Sequence, residues 1–212
     1  MRKWYAPVIL ALAFVVSAAV YSSLPGRIPV HWNLAGDVDR WGSRLEAAFF
    51  LPFGALLLWL VLRALPRIDP RRENYARFQG TYDLIVNGVV TLLVVIHLLV
   101  LGNALGLPVP LARALPMLVG VMLIVLGNVL PRARPNWWFG IRTPWTLSND
   151  RVWERTHRVG GYVLVAAGIV SVVVTAFWSS PASRLVLLGT ILGAAFGCFV
   201  YSYFAWRQET SK

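Results

Sequence analysis

The chain has 212 residues, of which 58% are hydrophobic and only 14% are charged, and its mean hydropathy is +0.63. This composition excludes an ordinary soluble domain and predicts a polytopic membrane protein with one membrane domain over residues 1–212. The formal net charge of +11 would point to nucleic acid in a soluble protein, but here the basic residues flank apolar runs. The lipid bilayer is therefore the expected partner, and direct nucleic-acid binding is not predicted. The single cysteine, Cys198, lies in an apolar run, which excludes a disulfide framework.

Six apolar segments are each long enough to cross a hydrocarbon core of about 30 Å. Helices satisfy their own backbone hydrogen bonds in lipid, so the sequence predicts an all-α protein with six transmembrane helices. A cleavable signal peptide is the alternative for the first segment, but its apolar run is longer than a typical signal core, and an uncleaved helix is favoured. The predicted spans are Ala6–Tyr21, Ala47–Leu65, Leu84–Leu101, Ala114–Leu130, Gly160–Trp178 and Leu185–Trp206.

The distribution of basic residues predicts the orientation of these helices. If the N-terminus is cytoplasmic, only five of the 20 lysines and arginines lie on the outer side. Short loops that are rich in Lys and Arg stay in the cytoplasm, so both termini and residues 131–159 are expected there, and residues 24–46 outside. The five outer basic residues are Arg27, Arg40, Arg44, Arg113 and Arg184.

The outer loop has the pattern of a small β-hairpin. Apolar Ile28, Val30 and Trp32 alternate with other residues, and Gly36 supplies a turn before a second alternating run. Metal binding is the alternative interpretation, but the ligand spacing of an EF-hand is missing, and one histidine with two carboxylates is a poor zinc set. No metal and no cofactor are therefore predicted. The candidate residues of this extracytoplasmic motif are Pro29, His31, Trp32, Asn33, Gly36, Asp37, Asp39 and Trp41.

The cytoplasmic segment, residues 128–161, combines four tryptophans with six arginines. This mixture suits a membrane surface, where amphipathic rings lie at headgroup level and guanidinium groups meet phosphate. Pro144 disfavours a helical conformation at Thr143, so Arg142 is presented from a fixed bend. The tryptophans are Trp137, Trp138, Trp145 and Trp153.

A helix is predicted to begin within this segment. Ser148 is a good N-cap, and Asp150 places negative charge at the positive end of the helix dipole. From Asn149 to Arg158 the pattern is amphipathic, with Trp153 on the apolar face and arginines on the opposite face. The sequence therefore predicts a cytoplasmic interfacial helix with its tryptophan toward the lipid.

Polar residues within the spans give little support to transport or catalysis. His97 is predicted to bond to another helix rather than to relay protons. No Asp, Glu or Lys lies at a predicted midplane, which argues against an ion-coupled transporter. Thr156 and His157 are adjacent and diverge on a helix, so no catalytic residue is predicted.

The cytoplasmic segment closely resembles the signature of the SdpI family of bacterial integral membrane proteins. The outer loop, from Leu24-Pro25 to Trp41, resembles the small domain of unknown function that precedes this signature in many members. The last two spans match only in hydrophobicity and position. The signature residues are Asn128, Pro131, Arg134-Pro135-Asn136, the run from Phe139 to Asn149, Val152-Trp153, Thr156-His157-Arg158 and Gly160-Gly161.

The resemblance implies a multi-pass protein of the bacterial cytoplasmic (inner) membrane that gives immunity to an extracytoplasmic, membrane-active toxin peptide. It also implies signalling, because the founding member holds a small cytoplasmic repressor at the membrane. Such an acidic partner would meet a platform that we assign to Arg142, Trp145, Trp153 and His157. The candidate residues of the cytoplasmic motif are Asn128, Asn136, Gly140, Arg142, Thr143, Pro144, Trp145, Trp153, Thr156 and His157.

Two alternatives from other classes stay open. A membrane enzyme acting on a lipid or cell-wall intermediate would use Arg142 to bind phosphate and His157 as acid or base. A small transporter would need a polar path through Asn87, His97 and Asn103, which the missing midplane charge disfavours. An enzyme is not the favoured prediction.

Overall fold

The computed structural model describes residues 2–178 and 180–211. Within these residues, six helices are long and apolar enough to cross a membrane. A short helix and a two-stranded sheet lie in the connections. The long helices are α1 (Arg2–Val20), α2 (Arg44–Ile68), α3 (Tyr75–Ala104), α4 (Leu111–Val129), α6 (Asp150–Phe177) and α7 (Pro181–Thr210); α5 is Pro144–Ser148, and the strands are β1 (Ile28–Trp32) and β2 (Val38–Gly42).

The predicted all-α fold with six membrane-spanning helices is confirmed, and the chain is a multi-pass membrane protein. Several helices are longer than the predicted spans; α3 begins at Tyr75 rather than at Leu84. Its early turns carry Phe78 and Tyr82, which are buried with Tyr75 against Trp153. Protein contacts rather than lipid therefore stabilise these turns, and an apolar window does not detect them.

The connections between the long helices alternate between two ends of the bundle. We call the end with the β-hairpin and residues 105–110 the hairpin end. The opposite end carries residues 69–74 and the loop of residues 130–149, which we call the signature loop. This second end is named the signature end.

The separate interfacial helix predicted for residues 149–158 is absent. These residues belong to α6 or cap it, and α6 continues without a break through Gly160 to Phe177. Its apolar face includes Val152 and Trp153, which are fully buried within the protein rather than turned to lipid. The prediction was wrong because an amphipathic pattern shows that one face is covered but not what covers it.

The long helices pack as two groups of three. In the first group, α1, α2 and α3 share a core that includes Leu10, Ala55 and Val90. In the second group, α6 packs along both α4 and α7, and contacts between α3 and α4 join the groups. The Ser17 hydroxyl of α1 lies 2.7 Å from Nε2 of His97 on α3. This contact confirms that His97 bonds to another helix.

α4 and α6 run antiparallel and touch along two pairs of glycines. A Cβ placed on Gly127 would lie 2.6 Å from the carbonyl oxygen of Gly161, and one on Gly161 would lie 2.7 Å from that of Gly127. Further along, a Cβ on Gly120 would lie 3.2 Å from the carbonyl oxygen of Gly168. Such close backbone contact is typical of membrane helix interfaces built from small residues.

The hairpin predicted for the outer loop is present. β1 and β2 pair antiparallel, with Ile28 opposite Gly42. Gly36 has a φ of +87° and its N–H donates to the carbonyl of Asn33 at 2.9 Å, which closes the turn. Ile28 is fully buried and packs in a cluster with Leu101 of α3. The hairpin is therefore anchored to the bundle by its first residue.

Candidate functional site

The signature loop is folded around the side chain of Asn136, which is fully buried. Its Oδ1 accepts the backbone N–H groups of Trp138 at 2.9 Å and Phe139 at 2.7 Å. Its Nδ2 donates to the carbonyls of Arg134 at 2.8 Å and Phe139 at 3.0 Å. The whole amide is used by the backbone of its own loop, so Asn136 determines the shape of the loop rather than binding a ligand.

Asp69, which follows α2, ties the signature loop to the first helix group. It is 3% exposed, and Oδ2 accepts the backbone N–H of Trp137 and the hydroxyl of Tyr75, both at 2.9 Å. The other oxygen accepts the N–H of Arg71 at 2.7 Å. Asp69 is not among the residues predicted from the sequence. An acidic residue directly after an apolar span is the signal that could have identified it.

Thr143 and Pro144 begin α5 and dock it on α7. The Thr143 hydroxyl oxygen accepts the N–H of Thr146 at 3.2 Å, and the Thr143 N–H donates to the Thr146 hydroxyl at 2.9 Å. This reciprocal pair is a capping box, and Pro144 takes the first helical position, where a missing N–H is tolerated. The Thr143 hydroxyl also donates to that of Ser202 at 3.0 Å. The motif therefore fixes the bend that follows Arg142.

Asn149, and not Ser148, caps α6. Its Oδ1 accepts the N–H groups of Arg151 at 2.9 Å and Val152 at 3.2 Å. Ser148 instead is the last residue of α5. Asp150 lies in the first turn of α6, as predicted. Serine and asparagine are equally good caps, so their adjacency left the boundary uncertain by one residue.

Trp153 and His157 form a buried pair beneath the signature loop. Their rings are stacked with centroids 3.9 Å apart, and the indole N–H donates to the carbonyl of Ala133 at 2.9 Å. Nε2 of His157 accepts the N–H of Ile141 at 3.0 Å, so Nδ1 carries the proton and donates to the carbonyl of Trp153 at 2.8 Å. The imidazole is therefore neutral, and both nitrogens are used inside the protein.

Gly140 lies directly against this imidazole. Its φ is +109°, a conformation that residues with a side chain rarely adopt. A Cβ at this position would also overlap Nε2 of His157. Glycine is thus required at position 140 for two reasons: the positive φ and the close approach of the His157 imidazole.

We expect His157→Phe to lower the free energy of unfolding by about 2–4 kcal/mol, because two buried backbone groups lose their partners. The phenyl ring can keep the stack on Trp153 but cannot bond to its carbonyl or to the N–H of Ile141. Unfolding by SDS in mixed micelles, followed by tryptophan fluorescence, measures the change. Arg158→Ala removes an exposed neighbour on α6 and is the control, expected to stay within about 0.5 kcal/mol of wild type. Equal stability of the two variants would contradict the supporting role of His157.

The platform proposed from sequence is only partly at the surface. Arg142 is exposed and donates to the carbonyl of Trp137 at 2.6 Å. Trp153 and His157 are fully buried, so their assignment to a partner-binding surface is corrected: they support the loop from inside. The aromatic residues beside Arg142 at the surface are Trp137 and Trp138, which are 49% and 40% exposed.

The remaining residues of the cytoplasmic motif lie apart from one another. Asn128 is exposed near the end of α4, whereas Thr156 is fully buried on α6. Trp145 is half-buried, and its ring lies 5.1 Å from Phe199 and 5.2 Å from Tyr203 of α7 between centroids. Trp145 and Thr156 thus contribute to packing, and the cavities described below are lined by other residues.

The polar residues of the hairpin motif bond mainly to one another. Nδ1 of His31 lies 2.5 Å from Oδ1 of Asp39, across the two strands, and both side chains are well exposed. The side-chain oxygen of Asn33 accepts the N–H of Asp37 at 3.0 Å within the turn. These bonds stabilise the hairpin itself.

Two arginines fasten the hairpin to helices. Arg184 of α7 donates from Nε to the carbonyl of Leu34 at 2.7 Å and also bonds the next carbonyl of the turn. Arg40 of β2 pairs with Glu46 of α2. Trp41 is 48% exposed, and the guanidinium group of Arg27 lies over its ring. Arg–Glu and Arg–carbonyl bonds thus fasten the hairpin to the helices.

The hairpin and most of the signature loop each lie within a stretch of the chain that matches a known family. Residues 132–202 match the SdpI/YfhL protein family, and residues 8–56 match a domain of unknown function, DUF1648. The immunity protein SdpI of Bacillus subtilis (strain 168) is 27% identical over 201 residues, which is 95% of this chain and 94% of that protein. No solved structure gives a significant match. The stretch that matches the SdpI/YfhL protein family thus includes most of the signature loop, α5, α6 and most of α7.

Proposed function

We propose that the chain is an immunity protein that protects a bacterial cell against an extracytoplasmic, membrane-active toxin peptide. The observation that carries the proposal is the similarity to an immunity protein along nearly the full length of both chains. The similarity includes the hairpin end as well as the signature end, so it concerns the whole bundle and not one motif.

The geometry of the hairpin end is compatible with this function. The hairpin is anchored by buried Ile28 and held at its turn by Arg184. The side chains of His31 and Asp39, on the two strands of the hairpin, are well exposed. A fixed, polar surface next to apolar helices is suited to bind an amphipathic peptide at the membrane surface.

The residues required by the two alternative functions, a membrane enzyme and a small transporter, are engaged elsewhere or lie apart. Both nitrogens of His157 are bonded to backbone groups inside the protein, so this residue is not available as a general acid or base. Asn87 and His97 line different cavities, and Asn103 bonds to the carbonyl of Val109 at the hairpin end. The three do not form one polar path.

Survival of a toxin-sensitive strain tests the proposal. Cells that express the wild-type chain are expected to survive the secreted toxin peptide of the founding family member at concentrations that kill cells with the empty vector. A six-helix membrane protein from another family, expressed to the same membrane level, controls for general effects of overexpression. Equal killing of all three strains would contradict the immunity function for that toxin class.

A second part of the proposal concerns the signature end, where an acidic cytoplasmic repressor could be held during signalling. Arg132, Arg142 and Arg158 are exposed there and form no ion pair with a carboxylate of residues 2–178 or 180–211. A basic surface of this kind favours an acidic partner. Arg142→Gln is expected to reduce toxin-dependent recruitment of the repressor while survival is kept. Arg77→Gln, an exposed arginine of α3 at the same end, is the matched control; equal recruitment by both variants would contradict the assignment.

A further inference from the structure

Two cavities lie beneath the hairpin, one on each side of a shared wall. The α2 cavity has a volume of about 310 Å³ and is bounded by β1, α2 and α3; the α7 cavity has about 460 Å³ and is bounded by the turn, α4 and α7. Trp32, Ile96 and Leu115 line both. The volumes are in the range of ligand pockets, and the helices contribute mainly apolar side chains to the walls.

Residues of β1 border both cavities. Val30, His31 and Trp32 line the α2 cavity, and His31, Trp32 and Asn33 line the α7 cavity. Side chains of a strand alternate between its two faces, so a cavity against one face would be lined by every second residue. Register shifts on both sides of His31 interrupt this alternation, so three consecutive residues of β1 reach the cavities.

One edge of β1 is open in the structure. β1 pairs with β2 on one side, and the sheet has two strands within the described ranges 2–178 and 180–211. A strand edge presents a row of backbone donors and acceptors that an extended peptide can satisfy. A lipid chain could fill the apolar cavities but has no groups to pair with the strand.

The hairpin is held from both sides of the cavities. Arg184 on α7 bonds to the turn, and the pair of Arg40 and Glu46 ties β2 to α2. The strand edge and the cavity walls are therefore kept in a fixed relation before a ligand arrives, which lowers the entropy cost of binding.

We propose that the free edge of β1 binds an extended segment of the toxin peptide as an added strand, with its apolar side chains in the α2 and α7 cavities. This inference rests on the proposed function and names the site at which the toxin is recognised. Specificity comes from the cavities on either side of Trp32 and Leu115, and the strand edge supplies the sequence-independent part of the affinity.

Filling the cavities tests the site. Leu115→Trp places an indole at the shared wall, and it is expected to weaken both toxin binding and protection about tenfold, as when one buried anchor of an interface is lost. Val121→Trp is the matched control on the same helix. It fills a different apolar cavity of about 470 Å³, which is bounded by Tyr5, α3 and α4 and has no strand at its border. We expect Val121→Trp to protect like wild type.

Photo-crosslinking tests the same site without relying on a loss of function. Benzoylphenylalanine at position 32 is expected to form an adduct with the toxin peptide against which the wild-type chain protects. The same group at position 41, on the exposed tryptophan of β2, is expected to form little or none. Adducts at position 32 with lipid alone, or equal toxin adducts at both positions, would overturn the proposal.

The outcomes separate the two levels of the proposal. If the wild-type chain gives no protection, the proposed immunity function is wrong, and the proposed toxin site is then wrong as well. If the wild-type chain protects and Leu115→Trp protects equally well at the same membrane level, the immunity function stands and only the site beneath the hairpin is overturned.

Discussion

Gly127→Ala is expected to lower the free energy of unfolding by about 3 kcal/mol or more, because the added methyl group meets backbone rather than a flexible side chain. The new Cβ would lie 2.6 Å from the carbonyl oxygen of Gly161 and 2.7 Å from the backbone nitrogen of Val165. α4 and α6 must therefore separate, and this contact is the main one within the second helix group. Unfolding by SDS in mixed micelles measures the loss.

Gly193→Ala provides the matched control for this substitution. Gly193 lies on α7, and a Cβ built there has no heavy atom within 4 Å. Alanine also has the higher helix propensity, so the variant is expected to equal wild type or to gain up to about 1 kcal/mol. Similar losses for the two variants would show that glycine at position 127 does not serve the contact between α4 and α6.

Asn136→Ala is expected to cost about 3–5 kcal/mol, because it leaves several buried backbone groups of the signature loop without partners. The N–H groups of Trp138 and Phe139 lose their acceptor, and the carbonyl of Arg134 loses its donor. We also expect the loop to become accessible to protease at low concentrations of SDS. Limited proteolysis and the SDS unfolding midpoint are the two measurements.

Asn128→Ala is the control for the signature loop. Asn128 belongs to the same sequence signature but is exposed near the end of α4, so its loss is expected to change stability by about 0.5 kcal/mol or less. If both asparagine variants kept wild-type stability and protease resistance, the loop would not depend on the Asn136 amide.

The spans and the hairpin could be predicted because their signals are local. Apolar length determines where a helix can cross the membrane, and alternation around Gly36 indicates two strands and a turn. The bond of His97 to another helix could also be predicted, since a lone histidine in lipid needs a partner. Its actual partner, Ser17, could not be predicted, because pairing between helices depends on their rotation and depth.

The signature loop shows the limit of local signals. Asn136, Thr143 and His157 belong to a recognisable signature, but the pattern does not say whether each side chain bonds to its own backbone or to a ligand. The structure assigns all three to internal bonds. Asp69 lies far from them in sequence and reaches Trp137 only through the fold, so no sequence spacing could reveal this contact.

Both proposals for the hairpin end require it to face the cell exterior, and the labelling of single cysteines tests this most directly. In a Cys198→Ala background, Asp37→Cys places a thiol in the hairpin turn and Glu154→Cys places one at the signature end, both at exposed positions. We expect a membrane-impermeant maleimide to label position 37 in intact protoplasts and position 154 only after lysis. The opposite pattern would place the hairpin in the cytoplasm and contradict recognition of an extracytoplasmic toxin by this end of the protein.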